Sequence, residues 1–144
     1  MIPQHRITPA NVTALEPDQV FVFGSNIAGK HGAGAAKLAR AKFGAKQGIG
    51  RWMTGQCYAI PTKDFWLRTQ SLEEIAEEVS IFAEFSGRRT DKRFIVTEIG
   101  CGLAGYKPEQ IAPMFSWAIE QENISLPLRF WEVILKNRDN ERIN

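Results

Sequence analysis

Cysteine and histidine are scarce in this chain, with two of each among 144 residues. Cys57 and Cys101 lie far apart, and neither has a partner at metal-ligand spacing. No metal site is expected, and both thiols read as free in a reducing compartment. Long apolar runs are missing too. No stretch approaches the ~20 residues that a membrane-spanning helix needs. The start of the chain, Met1-Ile2-Pro3-Gln4-His5-Arg6, carries no signal-peptide core. A cytoplasmic protein with no membrane partner is therefore expected, and the sequons Asn11-Val12-Thr13 and Asn123-Ile124-Ser125 carry no meaning there. Charge of one sign is also lacking. Eighteen basic and sixteen acidic side chains leave a formal net charge of +2, too weak for general nucleic-acid binding and compatible at most with a local basic rim. There is no repeat, low-complexity tract or linker, so residues 1–144 read as one domain. With 44% hydrophobic and 24% charged residues, that domain can bury an ordinary core.

Glycine is where the information concentrates. Two glycine-rich loops each follow an apolar run. The first run, Val20-Phe21-Val22-Phe23, leads through Gly24-Ser25-Asn26 to Gly32-Ala33-Gly34-Ala35-Ala36. The second, Phe94-Ile95-Val96-Thr97-Glu98-Ile99, leads into Gly100-Cys101-Gly102-Leu103-Ala104-Gly105. An apolar run that stops at glycines reads as a buried strand entering a loop. Glycine lets backbone N–H groups approach an anion, and a following helix start adds a favourable dipole. Two such loops at neighbouring strand ends make a clamp for a diphosphate.

The remaining elements follow from pattern. Thr8-Pro9 suggests the start of a short helix ending near Leu15. Residues 33–43 read as a helix stopped by Gly44, 46–56 as a loop, and 57–60 as a short strand ending at Pro61. Ser71 and Glu74 form a capping box for a helix whose apolar face is Leu72, Ile75, Ala76, Val79, Phe82 and Ala83. Lys107-Pro108-Glu109 opens another helix. Residues 128–135 alternate weakly and read as a final strand, followed by a polar, frayed tail from Asn137. Strands alternating with helices predict a three-layer α/β/α sandwich on a mixed, mostly parallel sheet. Ligands in such sheets lie beyond the carboxyl ends of the strands, where both glycine loops fall.

Each motif has a plain reading beside the functional one. The first loop is neither a P-loop, which needs a Gly-Lys-Ser/Thr ending, nor a dinucleotide fingerprint, whose third glycine is Lys37 here. Gly32-Ala33-Gly34 alone is as much a packing device as a ligand loop, but Ser25 and Asn26 at the strand exit offer hydrogen bonds to a sugar. In the second loop, three glycines in six residues cost stability unless the backbone needs them; the plain reading is a tight turn onto the next helix. Cys101 is read as a packed, inert thiol. Lys63 in Ile60-Pro61-Thr62-Lys63-Asp64-Phe65-Trp66 is either a solvated loop lysine or an amine held at the clamp. At the clamp it pairs with phosphate or, once neutral, attacks a sugar carbon. Asp64 either contacts the ligand or faces water.

Taken together, these segments resemble the macrodomain family, which binds ADP-ribose. The match spans residues 20–114 in order. It is carried by Asn26 with His31-Gly32-Ala33-Gly34-Ala35-Ala36, by Pro61-Thr62-Lys63, and by Gly100-Cys101-Gly102-Leu103-Ala104-Gly105 with the adjoining Tyr106. The chain is most similar to the branch holding the terminal ADP-ribose glycohydrolase and the DNA ADP-ribosylation antitoxin. That branch has a Thr-Lys with a catalytic lysine, matching Thr62-Lys63. In the antitoxin type a tryptophan and a Leu-Glu-x-Ile helix start follow, as do Trp66 and Leu72-Glu73-Glu74-Ile75 here. The resemblance implies a cytoplasmic bacterial or phage protein that uses no cofactor. It departs at three places. Ala104 stands where the glycohydrolase has an aspartate, which leaves Glu98 as either a substitute base or a structural acceptor. The early Gly-Asp that holds adenine is missing, with Asn11 near the right distance. The long first loop with Trp52 differs as well.

Three functions follow as expectations. The first is an ADP-ribosyl hydrolase acting on an ADP-ribosylated protein or nucleic acid. Lys63 would act at the distal ribose C1″, backbone N–H groups of both loops would cradle the diphosphate, and Asn26 would orient the ribose. The second is a binder or sponge of ADP-ribose or another NAD-derived nucleotide, which Ala104 favours. The third, an association with DNA or RNA through Lys30, Lys37, Arg40, Lys42, Lys46 and Arg51, competes with a simple solvated face.

Overall fold

The computed structural model describes residues 2–143. Its sheet has six strands: β1 (Ile7–Thr8), β2 (Gln19–Asn26), β3 (Trp52–Thr54), β4 (Cys57–Lys63), β5 (Arg93–Val96) and β6 (Ile124–Pro127). They are ordered β1-β6-β5-β2-β4-β3. All neighbours are parallel except β3 and β4. The carboxyl ends of five strands therefore share one edge of the sheet.

Alternation along the central strands builds two cores. Val20 and Val22 of β2, with Tyr58 and Ile60 of β4, face a large cluster. It includes Ile75, Val79 and Phe82 of α2 (Leu72–Arg88), Ile111 of α3 (Pro108–Ile111), Phe115 of the 3-10 helix Ala112–Glu120, and Phe130, Trp131 and Ile134 of α4 (Leu128–Ile143). The intervening Phe21, Phe23, Cys57 and Ala59 face a smaller cluster with Ala36 and Ala39 of α1 (Gly34–Lys42). Period-2 side-chain placement thus gives each central strand two buried faces. The result is an α/β fold in which helices cover both faces of a mostly parallel mixed sheet, as expected. Ser71 caps α2 as read: its side chain accepts from the Glu74 N–H at 3.1 Å, and the Glu74 carboxylate accepts from the Ser71 N–H at 3.1 Å.

Five expectations about elements are corrected, the first being that the strand from Cys57 ends at Pro61: it continues through it to Lys63. Residues 128–135 are helical, because Phe130, Trp131 and Ile134 bury one face at helical spacing. The strand lies just before them, and the tail expected to fray continues α4; only its last residue, Asn144, falls outside the described residues. The segment after Thr8 forms no helix. Arg6 holds the preceding residues down instead, donating to the Ile124, Ala118 and Gln121 carbonyls and standing 5.1 Å from the Trp131 ring centre. Within the presumed loop 46–56, Trp52–Thr54 pairs with β4 and supplies the antiparallel edge, starting from a positive φ of 67° at Trp52.

Candidate functional site

Two adjoining clefts open along the carboxyl edge of the sheet. The smaller, about 630 Å³, is lined by the β2 exit, the start of α1, the β4 exit and the loop after β5. The larger, about 1130 Å³, is lined by residues 7–13, Leu38 and Lys42 of α1, and Pro127 to Arg129. Gly34, Ala35, Thr97 and Glu98 line both, so the two clefts form one groove.

Most residues singled out in the sequence meet here. Ser25, Asn26, Gly32, Ala33, Gly34, Ala35, Thr62, Lys63, Glu98, Gly100, Cys101, Gly102, Leu103 and Ala104 all line the smaller cleft. Asn11 lines the larger. The backbone offers anion donors on two sides. Ala33 caps α1 without a side-chain hydrogen bond, and the first turn holds no acidic residue. In the second loop the Cys101, Gly105 and Tyr106 N–H groups close turns onto Glu98, Gly102 and Gly100. The Gly102, Leu103 and Ala104 N–H groups have no protein acceptor among the described residues. Uncapped helical N–H groups and clustered loop N–H groups favour an anion.

Gly32 and Gly102 sharpen this picture. Neither has a positive φ, and a Cβ at either would meet nothing within 4 Å. Glycine costs backbone entropy relative to alanine, and no protein neighbour requires it at these two positions. Gly100 is different: its φ is +75° and a Cβ would lie 3.1 Å from Ile111 Cδ1.

Some expected ligand residues are otherwise engaged. His31 does not line the groove and is 1% exposed. Its Nε2 lies 3.0 Å from both the Lys46 and Ile49 carbonyl oxygens, so it carries the proton and pins the 46–50 loop. Gly105 and Tyr106 also lie outside the lining; the Tyr106 hydroxyl donates to the Gln70 carbonyl at 2.5 Å. The Ser25 hydroxyl donates to Gly50. The Asn26 amide bonds Lys30 twice, which leaves one amide proton for a ligand. Asp64 holds its own turn: its carboxylate accepts from the Arg68 and Trp66 N–H groups and from Arg68 Nε. The Arg68 N–H, before the other contacts, keeps its carboxyl below the usual range. That turn carries Leu67 into the lining at φ 66° and leaves Phe65 and Trp66 exposed.

The charges in the groove are few. No hydrogen bond or ion pair holds the Lys63 side chain among the described residues, so its ammonium group is available to the cleft. Glu98 is instead taken by Arg129, through contacts of 2.7 and 2.6 Å. That hydrogen bonding holds the Glu98 carboxyl below its ordinary value, against partial desolvation. As a base it is therefore masked. Cys101 is half-buried, and burial with the nearby Glu98 charge pushes its thiol up to about 11, which disfavours the thiolate at neutral pH. Among the described residues no three His, Cys, Asp or Glu side chains cluster as metal ligands, and no helix is long and apolar enough to cross a membrane.

Sequence reasoning missed Leu67, Thr97 and Arg129, and gave Lys30 only to a basic rim and not to the cleft that it lines. Arg129 was hidden by reading its segment as a strand; the others adjoin recognised motifs and were legible as flanks. Comparisons with protein-family models, curated proteins and solved structures found no match.

Proposed function

We propose that the groove binds ADP-ribose and that the protein is a macrodomain-like ADP-ribosyl hydrolase. The observation that carries this reading is the pair of unconstrained glycines, Gly32 and Gly102, in a cleft that also holds the uncapped start of α1. Together they leave bare backbone donors where a diphosphate needs close approach. The larger cleft then takes the adenosine, beside Asn11 and Leu38, and the smaller takes the distal ribose near Lys63. The Lys63 ammonium stabilises charge on the group leaving C1″, and preorganised loop N–H groups need little rearrangement to hold the phosphates. The substrate is an ADP-ribosylated protein carboxylate or nucleic-acid base, and no cofactor takes part.

A second reading, a non-catalytic binder of ADP-ribose or a related nucleotide, is favoured by Ala104 and by the masking of Glu98, the one carboxylate in the groove among the described residues. Release of free ADP-ribose from ADP-ribosylated protein and DNA separates the two. Hydrolysis by the wild type, reduced by about 100-fold or more in Lys63→Ala while ADP-ribose affinity changes by less than about tenfold, supports the enzyme. Binding without release supports the sponge.

A further inference from the structure

The Glu98–Arg129 pair sits on the wall that the two clefts share. Glu98 lines both clefts and is the only carboxylate in either lining among the described residues; Arg129 lines the larger. Gly34 and Ala35, at the start of α1, also line both. A diphosphate held by that helix start occupies the same stretch of groove as a negative Glu98. Like charges there repel unless Arg129 compensates.

Arg129 is built to change partners. It meets Glu98 through two contacts, Nε to Oε2 and Nη2 to Oε1. The two side chains are 62% and 36% exposed, so solvent and competing ions reach the pair. Exposed pairs are held weakly. A diphosphate carries more charge than one carboxylate and fits the same planar fork.

Resting on the ADP-ribose reading above, we propose that Arg129 is a switchable counter-ion. A diphosphate in the groove draws it from Glu98, and the unmasked carboxylate takes a proton from the water that attacks the distal ribose. The step balances. The water oxygen bonds to C1″ as the bond from C1″ to the leaving atom breaks, its electron pair going to that atom. The water gives one proton to Glu98, the leaving atom takes one from the Lys63 ammonium, and solvent returns the Glu98 proton to Lys63. No oxidant or reductant is needed.

Arg129 on α4 is the charged group in contact with Glu98; Cys101 lies near both, Glu109 on α3 acts on Cys101 and Arg129, and the Lys63 and Lys30 side chains line the same smaller cleft. In the free protein Arg129 dominates and favours the carboxylate. With Arg129 turned to phosphate, Glu98 loses the hydrogen bonds and the positive charge that favour its carboxylate and faces the diphosphate's negative charge, so its carboxyl becomes more basic.

Carbon-13 NMR titration of the Glu98 carboxyl, without ligand, with ADP and with adenosine, tests this directly. ADP should move its midpoint upward, and adenosine, which lacks phosphate, should leave it in place. Calorimetry should show ADP binding about tenfold weaker in Arg129→Ala and several-fold tighter in Glu98→Gln. Glu98→Gln should also abolish ADP-ribose release. Bound ADP with an unmoved Glu98 midpoint overturns the switch and leaves the ADP-ribose reading standing. Failure of both ADP and ADP-ribose to bind overturns both.

Discussion

Around Gly29 and Gly50 the chain is packed so closely that an added Cβ would overlap backbone atoms of Gly48 and Ile49 in one case, and the Asn26 and Ile27 carbonyls in the other. Around Gly32 and Gly102 the same atom would meet only open space. The four glycines belong to neighbouring segments and look alike in sequence, yet one pair serves the protein's own packing and the other serves nothing inside it. The crowded pair lets the 46–50 loop lie on the 26–30 turn, where Ser25 and His31 lock it from below. The open pair lines the groove. A glycine that the fold does not require, placed beside unpaired N–H groups, is what a ligand-approach surface needs.

That contrast can be broken from either side. Gly50→Ala should have the largest effect, about 3 kcal/mol of lost stability, because backbone on both sides must shift. Urea unfolding would register this as a lower midpoint with an unchanged slope. Gly102→Ala should do the reverse. It should leave stability unchanged or raise it by about 0.5 kcal/mol, while weakening ADP-ribose by about tenfold, or ~1.4 kcal/mol. Equal loss of stability in both variants would erase the distinction.

Smaller effects probe the rim. Trp66→Ala, at a 71% exposed position beside Phe65 and Arg68, should change stability by no more than about 0.5 kcal/mol. Thermal unfolding would check it. The arginine-paired carboxylates Asp18, Asp91 and Glu98 are each held below the usual range by hydrogen bonds from Arg93, Arg89 and Arg129. A depressed folded value stabilises above the unfolded value, roughly pH 4, and that contribution disappears as pH falls through the folded value. Stability should therefore decline below about pH 4, and Glu98→Gln should make only a slight difference to that decline. The slowest chemistry concerns Cys101. With its thiol at about 11, alkylation at pH 8 should be much slower than for a free thiol of about 8.5. Mass spectrometry over time would measure it.

The parts of the molecule that repeat a local pattern were legible in the sequence. Val20 to Phe23 alternate into two cores, Ser71 and Glu74 cap their helix, and both glycine loops fall at strand exits in the cleft. What was not legible depends on distant partners. Arg6 looks like a surface residue until three carbonyls from residues 118–124 receive it. Trp52–Thr54 becomes a strand only because β4 lies beside it. Residues 128–135 mix branched and aromatic side chains that suit a strand, and burial of Phe130, Trp131 and Ile134 on one helical face decides otherwise. His31 was grouped with the ligand loop by motif, while its ring goes beneath that loop, edge-on to Phe23.

On the proposed function, the open glycines and bare N–H groups serve a diphosphate nucleotide. Calorimetric titration of ADP-ribose into the wild-type protein, with AMP and NAD as comparators, tests it most directly. Saturable binding selective for ADP-ribose is the predicted result. No heat with any of the three would mean that the groove does not bind this class of ligand.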